Sequence, residues 1–152
     1  MEYISAEEFL KQDKNVQDVF LYWWEPKEFD LIQVKFCVED DIEDIDNGIY
    51  NSTWHTEIDK SAITPEDISK YGIEFFNPIH GGIDGKVIPL LTEGQLRKFI
   101  EDNINKKVDI IHYINEGYIL VVDEDIDYSN LGHDLLQAYW KVAVQIASEN
   151  IK

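Results

Sequence analysis

A half-buried strand that runs directly into a block of carboxylates is the feature that most constrains this fold. From Phe29 to Val38, apolar and polar residues alternate with a period of two, which predicts a strand with one buried face. The apolar positions on that face are Ile32, Val34, Phe36 and Val38. Six of the next eight residues, Glu39 to Asp46, are acidic. Carboxylates this close together repel one another unless water or cations screen them, so the strand is expected to lead into a charged, solvated edge.

The rest of the chain predicts helices interleaved with antiparallel strands. Capping residues mark helix starts at Ser5, Thr64 and Thr92. β-Branched and aromatic residues favour a strand over 16–24, and two nearly continuous apolar runs favour a later hairpin that is covered on both faces. One helix is predicted to begin at Ser5, and three more are predicted to cover 64–72, 92–103 and 131–150. The predicted strands cover 16–24, 29–38, 49–58, 87–91, 108–114 and 118–123.

These elements predict an α+β fold. We expect a mostly antiparallel sheet of four to six strands, packed by helices and followed by a long C-terminal helix. Strands 16–24 and 29–38 are joined by four polar residues, which is typical of an antiparallel hairpin. The length of 152 residues favours a single domain over 1–152.

The net charge limits the partners that this chain can have. Thirty-one acidic residues against thirteen basic ones give −18 at neutral pH. A field of this sign repels nucleic acid and anionic membranes and accelerates association with basic proteins. The single cysteine, Cys37, excludes an intramolecular disulfide. With no secretory signal and no apolar run of about 20 residues, a cytoplasmic protein is expected.

Two acidic clusters are the candidate partner-binding residues. Ile42 and Ile45 lie inside the first cluster, where apolar anchors add contact energy to a surface that charges steer. The alternative for this cluster is an ordinary solvated loop, and for the second it is a set of acids favoured by the dipole of a following helix. The predicted surface consists of Glu39, Asp40, Asp41, Ile42, Glu43, Asp44, Ile45 and Asp46, then Asp123, Glu124, Asp125 and Asp127, with Trp24 as an exposed aromatic anchor.

No pattern in the sequence identifies a catalytic residue, a metal site or a cofactor. Acids from Asp123 onward share part of the spacing of a calcium-binding EF-hand loop, but Tyr128 stands where that loop requires glycine. His55, His80, His112 and His133 include no pair at the i, i+4 spacing of a helical metal site. His112 falls in a predicted strand and is expected to be a hydrogen-bonded core residue.

In small size, strong acidity, an α+β frame and acids interleaved with Ile, Tyr and Trp, the chain resembles the immunity proteins of bacterial toxin–immunity systems. The resemblance covers the character of the whole chain and no motif, so no residue roles carry over. It implies an inhibitor that neutralises a toxin domain, in a toxin–antitoxin relationship of the kind used in contact-dependent inhibition. Two alternatives stay open: a phage anti-defence protein that mimics DNA, and a metal-dependent enzyme.

Overall fold

The computed structural model describes residues 2–44, 49–55, 60–76, 86–123 and 126–151, and for 34–44, 49–55, 60, 61, 74, 75, 86 and 123 it describes the backbone only. The chain divides into two compact units: unit 1 comprises 1–23 and 91–152, and unit 2 comprises 24–90. The described helices are α1 (Ala6–Leu10), α2 (Lys14–Trp23), α3 (Pro65–Tyr71), α4 (Glu93–Ile104) and α5 (Leu135–Glu149). The described strands are β1 (Leu31–Asp44), β2 (Ile49–His55), β3 (Lys60–Ala62), β4 (Lys86–Pro89), β5 (Asp109–Tyr113), β6 (Gly117–Asp123) and β7 (Ile126–Tyr128).

The predicted helix starts are confirmed at all three capping residues. The Ser5 hydroxyl accepts a hydrogen bond from the Glu8 amide. Thr64 and Thr92 each form a complete capping box, with Asp67 and Gln95 as the reciprocal partners. Each box satisfies two backbone N–H groups that the first turn of a helix otherwise leaves without a partner. Local side-chain chemistry therefore fixes where α1, α3 and α4 begin.

The strand predicted over 16–24 is wrong, because this segment forms helix α2. Val16 and Phe20 are four residues apart and both are buried, whereas Tyr22 is 74% exposed. In a strand, Phe20 and Tyr22 would share one face. The helical period puts them on different faces, and burial of the Val16–Phe20 stripe outweighs the modest strand preference of the aromatic residues.

The core of unit 1 is an aromatic cluster centred on Phe20. This side chain is fully buried, and its ring centroid lies 4.4 Å from that of Phe99 in α4 and 5.2 Å from that of Trp140 in α5. Phe9 in α1 completes the cluster at 6.1 Å. Four helices thus meet at one side chain, with α5 supplying the longest buried face, as its amphipathic stripe predicted.

Asp102 in α4 connects α4 to the last residue of α2 at the surface of unit 1. Its Oδ2 accepts a hydrogen bond of 2.9 Å from Trp23 Nε1 and one of 3.0 Å from Lys98 Nζ. The indole N–H and then the ammonium hold the pKa of Asp102 below its ordinary value of 3.8. The stability contributed by this carboxylate is therefore complete above the unfolded pKa and is lost as the pH falls through the folded one.

We expect Asp102→Asn to lower the free energy of unfolding by about 0.5–1 kcal/mol at neutral pH, since the group is exposed and screened. The cost should shrink as the pH falls below about 4, where the wild-type carboxylate also becomes neutral. Urea unfolding of both proteins across this range measures the difference. A cost that stays constant with pH would contradict a role for the charge.

Unit 2 is built on β1, whose two halves pair with different strands. Gln33 pairs with both Lys60 of β3 and Ile88 of β4, so the sheet is three strands wide at this level. From Phe36 onward, β1 pairs with β2 in an antiparallel hairpin. Strands β5, β6 and β7 form an antiparallel sheet of their own in unit 1.

The α+β class and the long C-terminal helix are therefore confirmed, but the strands form two antiparallel sheets and not one: β1 to β4 are connected through β1, β5 to β7 form the second sheet, and the segment 16–24 is in neither. The reason is α2: the segment expected to pair with β1 is helical, and β3 and β4 occupy the flanks of β1 near Gln33 instead. The single domain over 1–152 stays a prediction beside the division into two units.

The hairpin β5–β6 is confirmed, but β5 is not covered on both faces. Four of its five residues are exposed, including Ile111 and Tyr113, and the turn residue Ile114 is 86% exposed. Only the central strand β6 contributes a fully buried side chain, that of Leu120. The apolar run over 108–114 predicted a buried strand, but β5 lies at the edge of its sheet and most of its residues are exposed.

Candidate partner-binding surface

The first acidic cluster continues strand β1 and is not a loop after it. Backbone pairing with β2 extends through Asp41, Ile42 and Asp44, which face Asn51, Tyr50 and Ile49 in the register. Register shifts interrupt the pairing between Val38 and Asp41 and again between Ile42 and Asp44. Glu39 to Asp44 thus lie on a paired strand, while Ile45 and Asp46 lie outside the described residues.

The partner strand does not neutralise this cluster. β2 has the sequence IYNSTWH and supplies neither Lys nor Arg. Opposite charges across a strand pair would offset like-charge repulsion, and this hairpin lacks them between Glu39 and Asp44. The sequence of this hairpin therefore leaves the negative charge of Glu39 to Asp44 without a compensating Lys or Arg on the paired strand.

The second acidic cluster spans the connection between β6 and β7. Asp123 is the last residue of β6 and Asp127 is an exposed residue of β7, while Glu124 and Asp125 lie outside the described residues. In the register, Asp127 and Asp109 both pair with Val121, one from each side. Residues paired across a sheet share a face, so two exposed carboxylates flank the end of one face of this sheet.

The two clusters belong to different units, the first to unit 2 and the second to unit 1. The first cluster was expected to follow a strand but lies within β1 through Asp44, whereas the second begins at the end of β6 and continues into β7. A joint acidic rim formed by both clusters stays a prediction.

Trp24 is not an exposed anchor. It is 2% exposed, and its Nε1 donates a hydrogen bond of 3.0 Å to Asp30 Oδ2. The same oxygen accepts from the Lys27 amide at 3.0 Å, so Asp30 closes the turn that leads into β1. The prediction assumed that Trp23 and Trp24 lie on a strand and point to opposite faces. With α2 ending at Trp23, Trp24 instead begins unit 2 as a buried, hydrogen-bonded residue.

Exposed apolar residues of the β5–β6 hairpin are contact candidates that the sequence did not reveal. Ile111 and Tyr113 lie on the same face as Ile119, and Ile114 follows at the tip. Ile126, next to Asp127, is also 52% exposed. A short run of isoleucines is typical of a buried strand and of a partner-binding strand alike, so periodicity alone does not separate the two. The second acidic cluster therefore adjoins apolar surface that can anchor a contact.

His112 and His133 form a hydrogen-bonded pair, and His112 is exposed rather than in the core. The distance from His112 Nε2 to His133 Nδ1 is 3.0 Å. The residues are 21 positions apart, so the i, i+4 spacing of a helical pair does not relate them. His55 lies in β2 and His80 outside the described residues.

The partial EF-hand spacing does not produce a calcium loop in the residues described. Residues Ile126–Tyr128 form strand β7, and Asp134 caps α5 by accepting the Gln137 amide at 2.9 Å. Within the described part of the chain, no three His, Cys, Asp or Glu side chains are grouped so as to hold a metal ion. In that same part, none of the helices is long and apolar enough to cross a bilayer.

Comparisons of the chain with family models, curated proteins and solved structures found no match.

Proposed function

We propose that this chain is a cytoplasmic immunity protein that binds and neutralises a basic toxin domain, a nuclease, through an acidic surface. The observation that carries the proposal is the acidic extension of β1. Six residues from Glu39 to Asp44 are held on a paired strand, five of them are acidic, and the strand beside them contains no Lys or Arg.

Electrostatic steering is the physical basis of the proposed inhibition. A nuclease that binds phosphates presents Lys and Arg around its active site, and a chain of charge −18 is attracted to that surface. Charge complementarity raises the association rate and fixes the orientation of docking, whereas buried apolar contacts slow dissociation. Ile42 within the first cluster and Ile126 beside Asp127 of the second are the proposed apolar anchors.

The DNA-mimic alternative is less well supported. A mimic of the phosphate backbone needs carboxylates in rows along one surface, since double-stranded DNA carries one charge per about 1.7 Å of helix axis. In this chain the acids concentrate in two clusters on two separate strand pairs. Short clusters of this kind favour a partner with a localised basic site.

The proposal is tested by co-purification with the product of the adjacent gene. Tagged protein should capture that product in a defined stoichiometry, and added protein should abolish its nuclease activity at one equivalent. A neighbouring product that is neither bound nor inhibited would remove the immunity interpretation, and capture of a phage-encoded or host DNA-binding enzyme instead would favour the mimic.

A further inference from the structure

Two imidazole rings on neighbouring elements point their nitrogens at each other on the surface of unit 1. His112 lies in β5 and His133 in the segment that leads into α5. Their facing nitrogens, Nε2 and Nδ1, are 3.0 Å apart and their ring centroids 5.2 Å apart. Both side chains are exposed. The pair therefore combines converging nitrogen ligands with free access from solvent.

We infer that His112 and His133 form a two-histidine site for Zn²⁺. Imidazole nitrogen suits zinc, whereas calcium and magnesium prefer oxygen. With zinc about 2.1 Å from each nitrogen, a centroid separation of 5.2 Å corresponds to a nitrogen–zinc–nitrogen angle of roughly 105°, close to tetrahedral. The nitrogens then stand about 3.4 Å apart. A tilt of the two exposed rings, with their centres in place, provides this change.

The surrounding contacts hold both histidines in position. His112 pairs with Tyr118 in the register, and their ring centroids are 4.5 Å apart. The Tyr118 amide donates a hydrogen bond of 2.8 Å to the carbonyl of Gly132, the residue before His133. One residue of β6 thus positions both ligands, which lowers the entropy lost when a metal binds.

Protonation and charge must also allow a cation at this place. In the hydrogen-bonded pair, one of the facing nitrogens carries the proton, and zinc binding requires that proton to move to the other nitrogen of its ring or to leave. The charge of −18 attracts a divalent cation. Lys141 opposes it locally, with its Nζ bound to the Leu131 carbonyl at 3.2 Å. With two protein ligands, the remaining zinc positions are filled by water or by a group from another molecule.

Isothermal titration of the purified chain with Zn²⁺, in a large excess of Mg²⁺, tests the site. Magnesium occupies carboxylates and leaves imidazole free, so acidic surface binding is suppressed. We expect one Zn²⁺ per chain in the wild type and at least a tenfold loss of affinity in either His112→Gln or His133→Gln. The double variant should lose little more, because one imidazole alone does not chelate. His80→Gln is the matched control and should bind as the wild type does.

A second measurement keeps the test independent of the variants. In the wild-type protein, sub-stoichiometric Zn²⁺ should shift or broaden the ring C–H resonances of His112 and His133 and leave those of the other two histidines unchanged. Undetectable Zn²⁺ binding by the wild type, wild-type affinity in either single variant, or equal perturbation of all four histidines would each overturn the inference.

Discussion

Phe20→Ala should lower the free energy of unfolding by about 3–5 kcal/mol, the range found for large-to-small substitutions of buried aromatic residues. Phe20 is fully buried and its ring contacts rings from three other helices. Removing it leaves a cavity where α1, α2, α4 and α5 meet. Chemical denaturation measures the change, and a reduced midpoint at an unchanged slope is expected.

Tyr22→Ala is the matched control for this substitution. Tyr22 is 74% exposed and lies two residues further along the same helix, so its truncation should change stability by no more than about 0.5 kcal/mol. If 16–24 were a strand, the two residues would lie on one face and the two substitutions would have similar costs. Equal losses would therefore contradict the assignment of this segment to α2.

Gly117→Ala should cost about 3 kcal/mol through two separate effects. The φ of Gly117 is +87°, a region that costs a residue with a side chain about 1–3 kcal/mol. A Cβ at this position would also collide with the Gly132 carbonyl oxygen and lie 2.8 Å from the carbonyl carbon. Backbone has to move, and with it the hydrogen bond from Tyr118 to Gly132. Thermal unfolding followed by circular dichroism measures the loss.

Two other glycines separate these effects. Gly72 has a φ of +81° but open space around it, so Gly72→Ala should show the backbone cost alone, within about 1–3 kcal/mol and less than the cost of Gly117→Ala. Gly94 lies in α4 with open space and no positive φ, so Gly94→Ala should stabilise the chain by about 0.5–1 kcal/mol. If Gly117→Ala costs no more than Gly72→Ala, the close approach of Gly117 to Gly132 adds nothing to the free-energy cost of the substitution.

Local chemistry made part of this fold predictable. The boundaries of α3 and α4 follow from a hydroxyl and an acceptor three residues later, and the hairpin β5–β6 follows from apolar runs around a turn that contains Gly117. These signals act within a few residues, so no knowledge of tertiary contacts is needed to interpret them.

Tertiary context decided the elements that the sequence did not predict. The residues of α2 have the composition of a strand, and packing of Phe20 against Phe99 and Trp140 selects the helix. The same error placed Trp24 at the surface. The exposure of Ile111 and the meeting of His112 with His133 depend on which strand lies at the sheet edge and on how residues 131–133 approach β6, which no local pattern encodes.

The candidate surface was predictable in composition and not in conformation. The carboxylates from Glu39 to Asp44 are evident in the sequence, but alternation of apolar residues ends at Val38, so the strand was expected to end there too. Pairing with β2 carries it on to Asp44. The five acidic residues from Glu39 to Asp44 therefore lie on extended, paired backbone and not on the solvated loop that was the alternative.

The association rate constant with the adjacent-gene toxin domain tests the central claim most directly. Neutralising the first cluster with Asp40→Asn, Asp41→Asn, Glu43→Gln and Asp44→Asn should lower this rate by about 10–100-fold at low ionic strength and flatten its salt dependence. The matched control changes four exposed acids outside both clusters, with Glu2→Gln, Glu7→Gln, Glu25→Gln and Glu28→Gln, and should have a much smaller effect. Circular dichroism checks that both variants are folded. An association rate and salt dependence that survive the first set, or fall equally with the second, would contradict docking through the acidic strand.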